Sequence, residues 1–226
     1  MFLIFDLDDT LYDEKTYVNS GLCAVAKYGE VKFGWNAADS LKYMQEHLKF
    51  QGRGKIFDDW LQNKGRYSRT NVEACIRKYR NHPPEIELYS YTKTVLDKYY
   101  GVLPLYLVTD GHKEAQKNKI KALNLDKYFK RIFVTHRFGI RNSKPSLHCF
   151  EIIRKTEKCE WSQLIYVGDN PMKDFVSLNR VGAKTIRVLT GSHANLVANL
   201  EFDAQLSLPD LSYLQAFLDN EKEITY

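Results

Sequence analysis

Four short stretches of this chain bring together residue types that could share one reaction. The first is Asp6-Leu7-Asp8-Asp9-Thr10-Leu11, which ends the apolar run that begins at Phe2. Where a strand gives way to a loop, carboxylates two residues apart can face one site. The second, Leu107-Val108-Thr109-Asp110-Gly111, ends an apolar run on a hydroxyl and a glycine. Thr109 Oγ and the amides beyond it could bind an oxyanion at the start of the next helix. The third is Lys144-Pro145-Ser146, which places a lysine just before a helix whose first position suits Pro145. A cation there is unfavourable unless an anion lies nearby. The fourth, Val167-Gly168-Asp169-Asn170-Pro171-Met172-Lys173-Asp174, carries two acids five residues apart. Asp169 and Asp174 could converge on one hard cation, for which magnesium is suited. Each stretch also has a plain structural reading: an acidic turn, a helix cap, a solvated lysine or an acidic first helical turn.

The surrounding pattern predicts the elements that would hold them. Strand-like runs cover Phe2–Leu7, Leu105–Val108, Arg131–Thr135, Leu164–Val167 and Lys184–Val188, with a weaker one near Ala204–Leu206. Helical patterns cover Lys113–Leu123, Ser146–Thr156, Met172–Val181 and Pro209–Leu218. Near-continuous apolar strands alternating with helices imply an α/β fold, a doubly wound parallel sheet covered on both faces. From Asp13 to Glu87 the pattern is helical only, over Val18–Tyr28, Ala37–Leu48, Ile56–Gln62 and Thr70–Tyr79, and His82-Pro83-Pro84 closes it. The expected organisation is therefore a core of 1–12 and 88–226, with an all-helical insert over 13–87 after the first strand.

Length and composition bound the remaining classes. A chain of 226 residues, 44% hydrophobic and 27% charged, can bury a full core and is neither disordered nor collagenous. Its apolar runs are strand-length, so no membrane span is expected. The start lacks a signal-peptide pattern, and the four cysteines are scattered, which suits free thiols in the cytoplasm. No Cys/His cluster has zinc spacing. The net charge of +5 is uneven. Between Lys49 and Arg80 nine basic residues face three acidic ones, a local +6 that leaves −1 for the rest.

Asp-x-Asp, Thr, Lys and Asp…Asp at successive strand ends, in that order, resemble the haloacid dehalogenase superfamily, specifically its phosphatases. The insert after the first motif looks like that family's C1-type helical cap, and the core like its Rossmann-like sheet. The resemblance implies that Asp6 is a nucleophile forming an aspartyl-phosphate, that Asp8 is the general acid and then base, and that Thr10 orients Asp8. It implies that Thr109, with the amides of Asp110 and Gly111, holds the phosphoryl oxygens, and that Lys144 neutralises nucleophile and phosphate. It further implies Mg2+ bound by the Asp6 side chain, the Asp8 carbonyl and Asp169, with Asp174 in support. A site this acidic would repel a phosphate dianion without a cation, and an Asp8 acting as acid would need a raised pKa. Asp8 and Thr10 match the family's phosphatases rather than its dehalogenases or sugar phosphomutases. Lys173, where the family often has Asn, and Pro171 depart from its pattern.

The expected activity is therefore Mg2+-dependent hydrolysis of a small phosphorylated metabolite, a sugar phosphate or a nucleotide. Within the insert, the glycine-flanked Arg53 and Lys55 are the candidates to reach substrate. Tyr12, Lys15 and Tyr17 are candidates to line its entrance, and His112 to contact the leaving group. The alternatives are a catalytically silent relative used as a binding or regulatory protein, a phosphomutase of the same fold, and a phosphoacceptor receiver. Receivers are shorter and lack such an insert. No nucleic-acid module appears, so neither nucleic acid nor membrane is an expected partner. A monomer or homodimer is expected.

Overall fold

The computed structural model describes residues 1–223, with side chains through Asp219. Six parallel strands form one sheet in the order β3-β2-β1-β4-β5-β6. They are β1 (Phe2–Phe5), β2 (Leu105–Thr109), β3 (Arg131–Val134), β4 (Leu164–Gly168), β5 (Lys184–Val188) and β6 (Leu206–Leu208). Side chains alternate across the pleat. Leu3 and Phe5 therefore join Leu105, Leu107, Ile165 and Val167 on one face, whereas Ile4 joins Tyr106, Val108 and Tyr166 on the other. The first face is covered by α5 (Ser90–Tyr99), α6 (Lys113–Ala122) and α9 (Leu214–Glu223). The second is covered by α7 (His148–Glu157) and α8 (Val176–Arg180). This is the expected doubly wound parallel sheet.

Between β1 and α5 the chain forms α1 (Glu14–Phe33), α2 (Ala37–Gln51), α3 (Ile56–Asn63) and α4 (Arg69–Asn81), with no strand. These four helices share an apolar cluster built on Val18, Leu22, Val25, Met44, Trp60, Leu61 and Cys75. Asp13 caps α1 by accepting the Lys15 N–H, and Gly34 ends it in a left-handed conformation.

Several boundaries differ from expectation. The first strand stops at Phe5, because Asp6, Leu7 and Asp8 turn away toward the loop. Pro145 does not open a helix: the Lys144–Pro145 peptide is cis, a turn follows, and α7 starts at His148. The predicted helix from Met172 begins only at Val176, since the Lys173 and Asp174 amides fold back onto the Asn170 carbonyl in a turn. The weak sixth strand lies two residues later than expected. The helix expected over Pro209–Leu218 begins with a 3-10 turn, and α9 starts at Leu214. Helix α5 was not anticipated, although Thr92, Val95, Leu96 and Tyr99 bury one helical face. Its β-branched and aromatic residues mask that periodicity. Residues 224–226 of the expected core lie outside the described residues.

Candidate active site

Strand order reverses between β1 and β4: the chain leaves β1 toward β2 and β3, then crosses back to β4. Such a switch point opens a crevice at the carboxyl ends of its strands. Asp6 follows β1 and Asp169 follows β4, and the Asp6 amide bonds the Val167 carbonyl at 2.8 Å, so the two acids share one edge. Carboxylate oxygens of Asp6, Asp169 and Asp174 lie within 4.8 Å of one another, and all three residues are buried. Gly168 makes this possible, because a Cβ there would sit 2.7 Å from Asp174 Oδ2.

Lys144 enters this nest from the loop after β3. Its Nζ lies 2.8 Å from Asp6 Oδ2 and 2.7 Å from Asp174 Oδ1, and donates to Tyr166 Oη at 2.9 Å. The lysine is not poised at a helix terminus; buried carboxylates hold it. They keep its pKa well above the usual lysine value despite burial. The Asp110 carboxylate steers this loop by accepting from the Lys144 amide (3.1 Å) and Thr135 Oγ1 (2.6 Å). Lys173 Nζ approaches Asp110 Oδ2 at 3.8 Å and adds a second ammonium.

Even so, negative charge is in excess. Burial pushes the Asp6 carboxyl up to about 7, opposed by Lys144 and reinforced by Asp174 and Asp169. Burial also raises Asp169, although His193 Nδ1 donates to it at 2.8 Å. Asp174 stays low because Lys144 and Lys173 outweigh its burial. Three converging buried carboxylates, with oxygen donors only, fit a hard divalent cation such as magnesium.

Asp8, two residues beyond Asp6, lies in a different environment. Its Oδ1 accepts from Tyr12 Oη at 2.5 Å and Lys119 Nζ at 2.7 Å, and its Oδ2 from Gln116 Nε2 at 2.8 Å. Burial would raise its pKa, but Lys119 and these hydrogen bonds win and hold it below the ordinary carboxylate value. This reverses the expectation of a raised pKa. Thr10 does not orient it: the residue is buried and its Oγ1 has no hydrogen-bond partner among the described residues. The groups that do so are Tyr12, Lys119 and Gln116. Gln116 also donates to Thr109 Oγ1 at 2.8 Å, tying Asp8 to the Thr109-Asp110-Gly111 loop. Gly111 takes φ +135, which an L side chain rarely adopts.

In the helical insert, Arg53 grips Glu14 through both Nη atoms, at 3.0 and 2.7 Å. Lys55 is exposed at the start of α3 and touches none of these groups. Lys15 is exposed, Tyr17 lies under Lys119, and His112 stands just before α6 without a side-chain cap bond. Sequence reasoning missed Lys119, Gln116, Glu14, Tyr166 and His193. Gln116 and Lys119, three apart on one face of α6, carried a usable signal: polar residues on a buried stripe. A cavity of about 920 Å3 between α1 and α4 is lined by none of the site carboxylates. The site is marked by its titratable groups rather than by volume.

The comparisons with known proteins agree with this geometry. Over 98% of its length the chain is 27% identical to a glyceraldehyde 3-phosphate phosphatase of Methanocaldococcus jannaschii, covering 97% of that protein. A Pyrococcus furiosus protein of the same description is 27% identical over 51% of the chain and 47% of its own length. Among solved structures, a HAD phosphatase from Thermococcus onnurineus has TM-score 0.61 at 20% identity, covering 96% of this chain and 97% of that one. The HAD hydrolase YfnB from Bacillus subtilis, solved bound to magnesium, has TM-score 0.68 at 17% identity, covering 96% and 98%. At such identities these two structures speak for the fold. No helix among the described residues is long and apolar enough to cross a membrane. The model of the haloacid dehalogenase-like hydrolases matches residues 3–188, and the chain, a hydrolase, belongs to that family.

Proposed function

We propose that this protein is a magnesium-dependent phosphomonoesterase that acts on a small phosphorylated metabolite through an aspartyl-phosphate on Asp6. The observation that carries this reading is Lys144 Nζ, 2.8 Å from Asp6 and 2.7 Å from Asp174 in a nest of three convergent buried carboxylates. Magnesium held by Asp6, Asp169, Asp174 and the Asp8 carbonyl would offset the excess negative charge and polarise a phosphoryl oxygen. Lys144 and Lys173 attract the phosphate dianion and hold Asp6 toward it. Thr109 and the amides of Asp110 and Gly111 orient the remaining phosphoryl oxygens.

The Asp6 carboxylate attacks phosphorus and the ester oxygen departs with a proton from Asp8, which must first take that proton up against the pull of Lys119, Tyr12 and Gln116. Water then attacks the aspartyl-phosphate, Asp8 takes its proton, and inorganic phosphate leaves. The second step uses Asp8 as a carboxylate, the form its three donors favour. Residues 13–87 act as a cap that closes over the site and touches the leaving group. The names of the curated relatives make glyceraldehyde 3-phosphate the first substrate to test, before other sugar phosphates and nucleotides. Four free cysteines support a reducing, cytoplasmic setting.

Phosphate release from a panel of phosphomonoesters, with magnesium and with chelator, tests the reading beside Asp6→Asn. Wild type should release phosphate only with metal, and the variant should release none. A wild type no faster than Asp6→Asn would return the chain to the binding-protein alternative.

A further inference from the structure

Lys119 is a buried lysine that the reaction above does not use. It is 4% exposed, on the core-facing side of α6. A lysine there costs desolvation energy unless its charge is matched, and a methionine would fill the same space. Its surroundings account for it. Nζ lies 2.7 Å from Asp8 Oδ1, 3.8 Å from Glu14 Oε1 and 4.1 Å from the centre of the Tyr17 ring. Glu14 and Tyr17 belong to α1, the first helix of the insert, whereas Lys119 belongs to the core. Glu14 is in turn held by both Nη atoms of Arg53, from the loop between α2 and α3. A single chain of charges, Arg53–Glu14–Lys119–Asp8, therefore crosses the seam between insert and core.

The geometry around Asp8 gives that chain a task. A carboxylate on a loop can rotate, and proton transfer to an ester oxygen needs it within hydrogen-bond reach at a set angle. Gln116 restrains Oδ2 and relates it to Thr109. Oδ1 is restrained by Tyr12, from the same loop, and by Lys119, which reaches it from a rigid core helix.

We infer that Lys119 is a positioning residue that holds Asp8 in line with the leaving-group oxygen, and that Glu14 and Arg53 make this depend on docking of the insert. The inference rests on Asp8 acting as the general acid, as proposed above, and it assigns that acid a partner.

The test compares kcat/KM, which reports steps through release of the alcohol, for two esters. The alkyl ester, whichever of glyceraldehyde 3-phosphate and glycerol 3-phosphate the wild type hydrolyses faster, needs an acid to expel its alkoxide. The second ester, 4-nitrophenyl phosphate, expels the weakly basic 4-nitrophenolate unaided. Lys119→Met should lower kcat/KM for the alkyl ester by roughly 30-fold, within the range of general acid catalysis, and for the aryl ester by less than about threefold. Lys119→Arg should recover part of the alkyl loss. In an Asp8→Asn background, Lys119→Met should cause no further loss, since it acts through Asp8.

Equal losses on both esters would overturn the inference, as would a further loss in the Asp8→Asn background. A wild type that hydrolyses only the aryl ester would do the same, by removing the acid role. A wild type that hydrolyses neither ester would instead sink the phosphatase reading itself. If Lys119→Met does not fold, Glu14→Gln decides the matter: an alkyl-selective loss of roughly threefold supports the inference, and equal changes on both esters overturn it.

Discussion

Asp6 and Asp8 are the same residue type, two positions apart at one strand exit, yet they occupy opposite electrostatic regions. Asp6 belongs to the nest at the sheet edge, where burial and the neighbouring Asp174 and Asp169 lift it to about 7 against the pull of Lys144. Asp8 belongs to the seam with the helical insert, where Lys119, Tyr12 and Gln116 hold it down. The nest has more negative charge than its lysines balance and favours a further cation. The seam is already matched, carboxylate to cation, from Asp8 to Arg53. A carboxylate's role here is set by which elements surround it, not by its place in the motif.

The contrast can be broken most severely at the two aspartates themselves. Asp6→Asn should lower phosphate release from every ester by at least about a thousandfold, because it removes the proposed nucleophile. Asp8→Asn should lower kcat/KM by roughly 100-fold or more for alkyl phosphates and far less for 4-nitrophenyl phosphate. Steady-state assays on both esters check the pair; indistinguishable profiles would mean that the aspartates do not divide the chemistry.

The next largest effect lies in the nest. Lys144→Met leaves Asp6 and Asp174 buried without their cation. Removing one partner of a buried pair costs about 3–5 kcal/mol. Urea unfolding should show that loss without metal, and millimolar magnesium should restore part of it by binding the surplus carboxylates. The matching change in the seam, Lys119→Met, should gain no such rescue.

The pH dependence of metal binding sharpens the contrast further. A carboxyl at about 7 is largely protonated below that value, and a metal must displace the proton. Magnesium affinity, measured by calorimetry, should weaken as pH falls from 7 toward 5, by up to about tenfold per unit for one displaced proton. Flat affinity across this range would show that Asp6 is ionised throughout.

The smallest effect concerns His82, where the chain returns from the insert to the core. Its ring packs 5.0 Å from Tyr17, and Nδ1 lies 2.6 Å from the Tyr79 carbonyl. Burial lowers its pKa below the usual histidine value. The neutral ring is therefore the stable form, and its contribution is present above about 6.5 and lost as pH falls below that. Thermal melts should show the wild type losing ~2 °C more than His82→Gln between pH 7 and 5.

Much of this organisation was legible in the chain. Apolar runs ending abruptly at Thr109 and Gly168 marked two strand ends, because a buried parallel strand has no polar face to interrupt it, whereas the first run was extended past Phe5 to Leu7. The helical insert was legible from its 3.6-residue periodicity and its Pro-Pro exit. Helix α5 was not, since Thr, Val and Tyr on its buried face suit a strand equally well. The role of Lys144 was legible only through its motif: the cis peptide to Pro145 and the steering by Asp110 depend on residues far along the chain.

By itself, then, the sequence determined the alternation of strands and helices, the insertion point and the acids that gather at the sheet edge. Those follow from local hydrophobic periodicity and from where it stops. Only the tertiary structure decided that Asp8 faces Lys119 rather than Thr10, that Tyr166 and His193 attend Lys144 and Asp169, and that Arg53 reaches the site through Glu14. These pairs join residues from 22 to 111 positions apart. Their charges settle one another's protonation only once burial removes the water that would otherwise screen them.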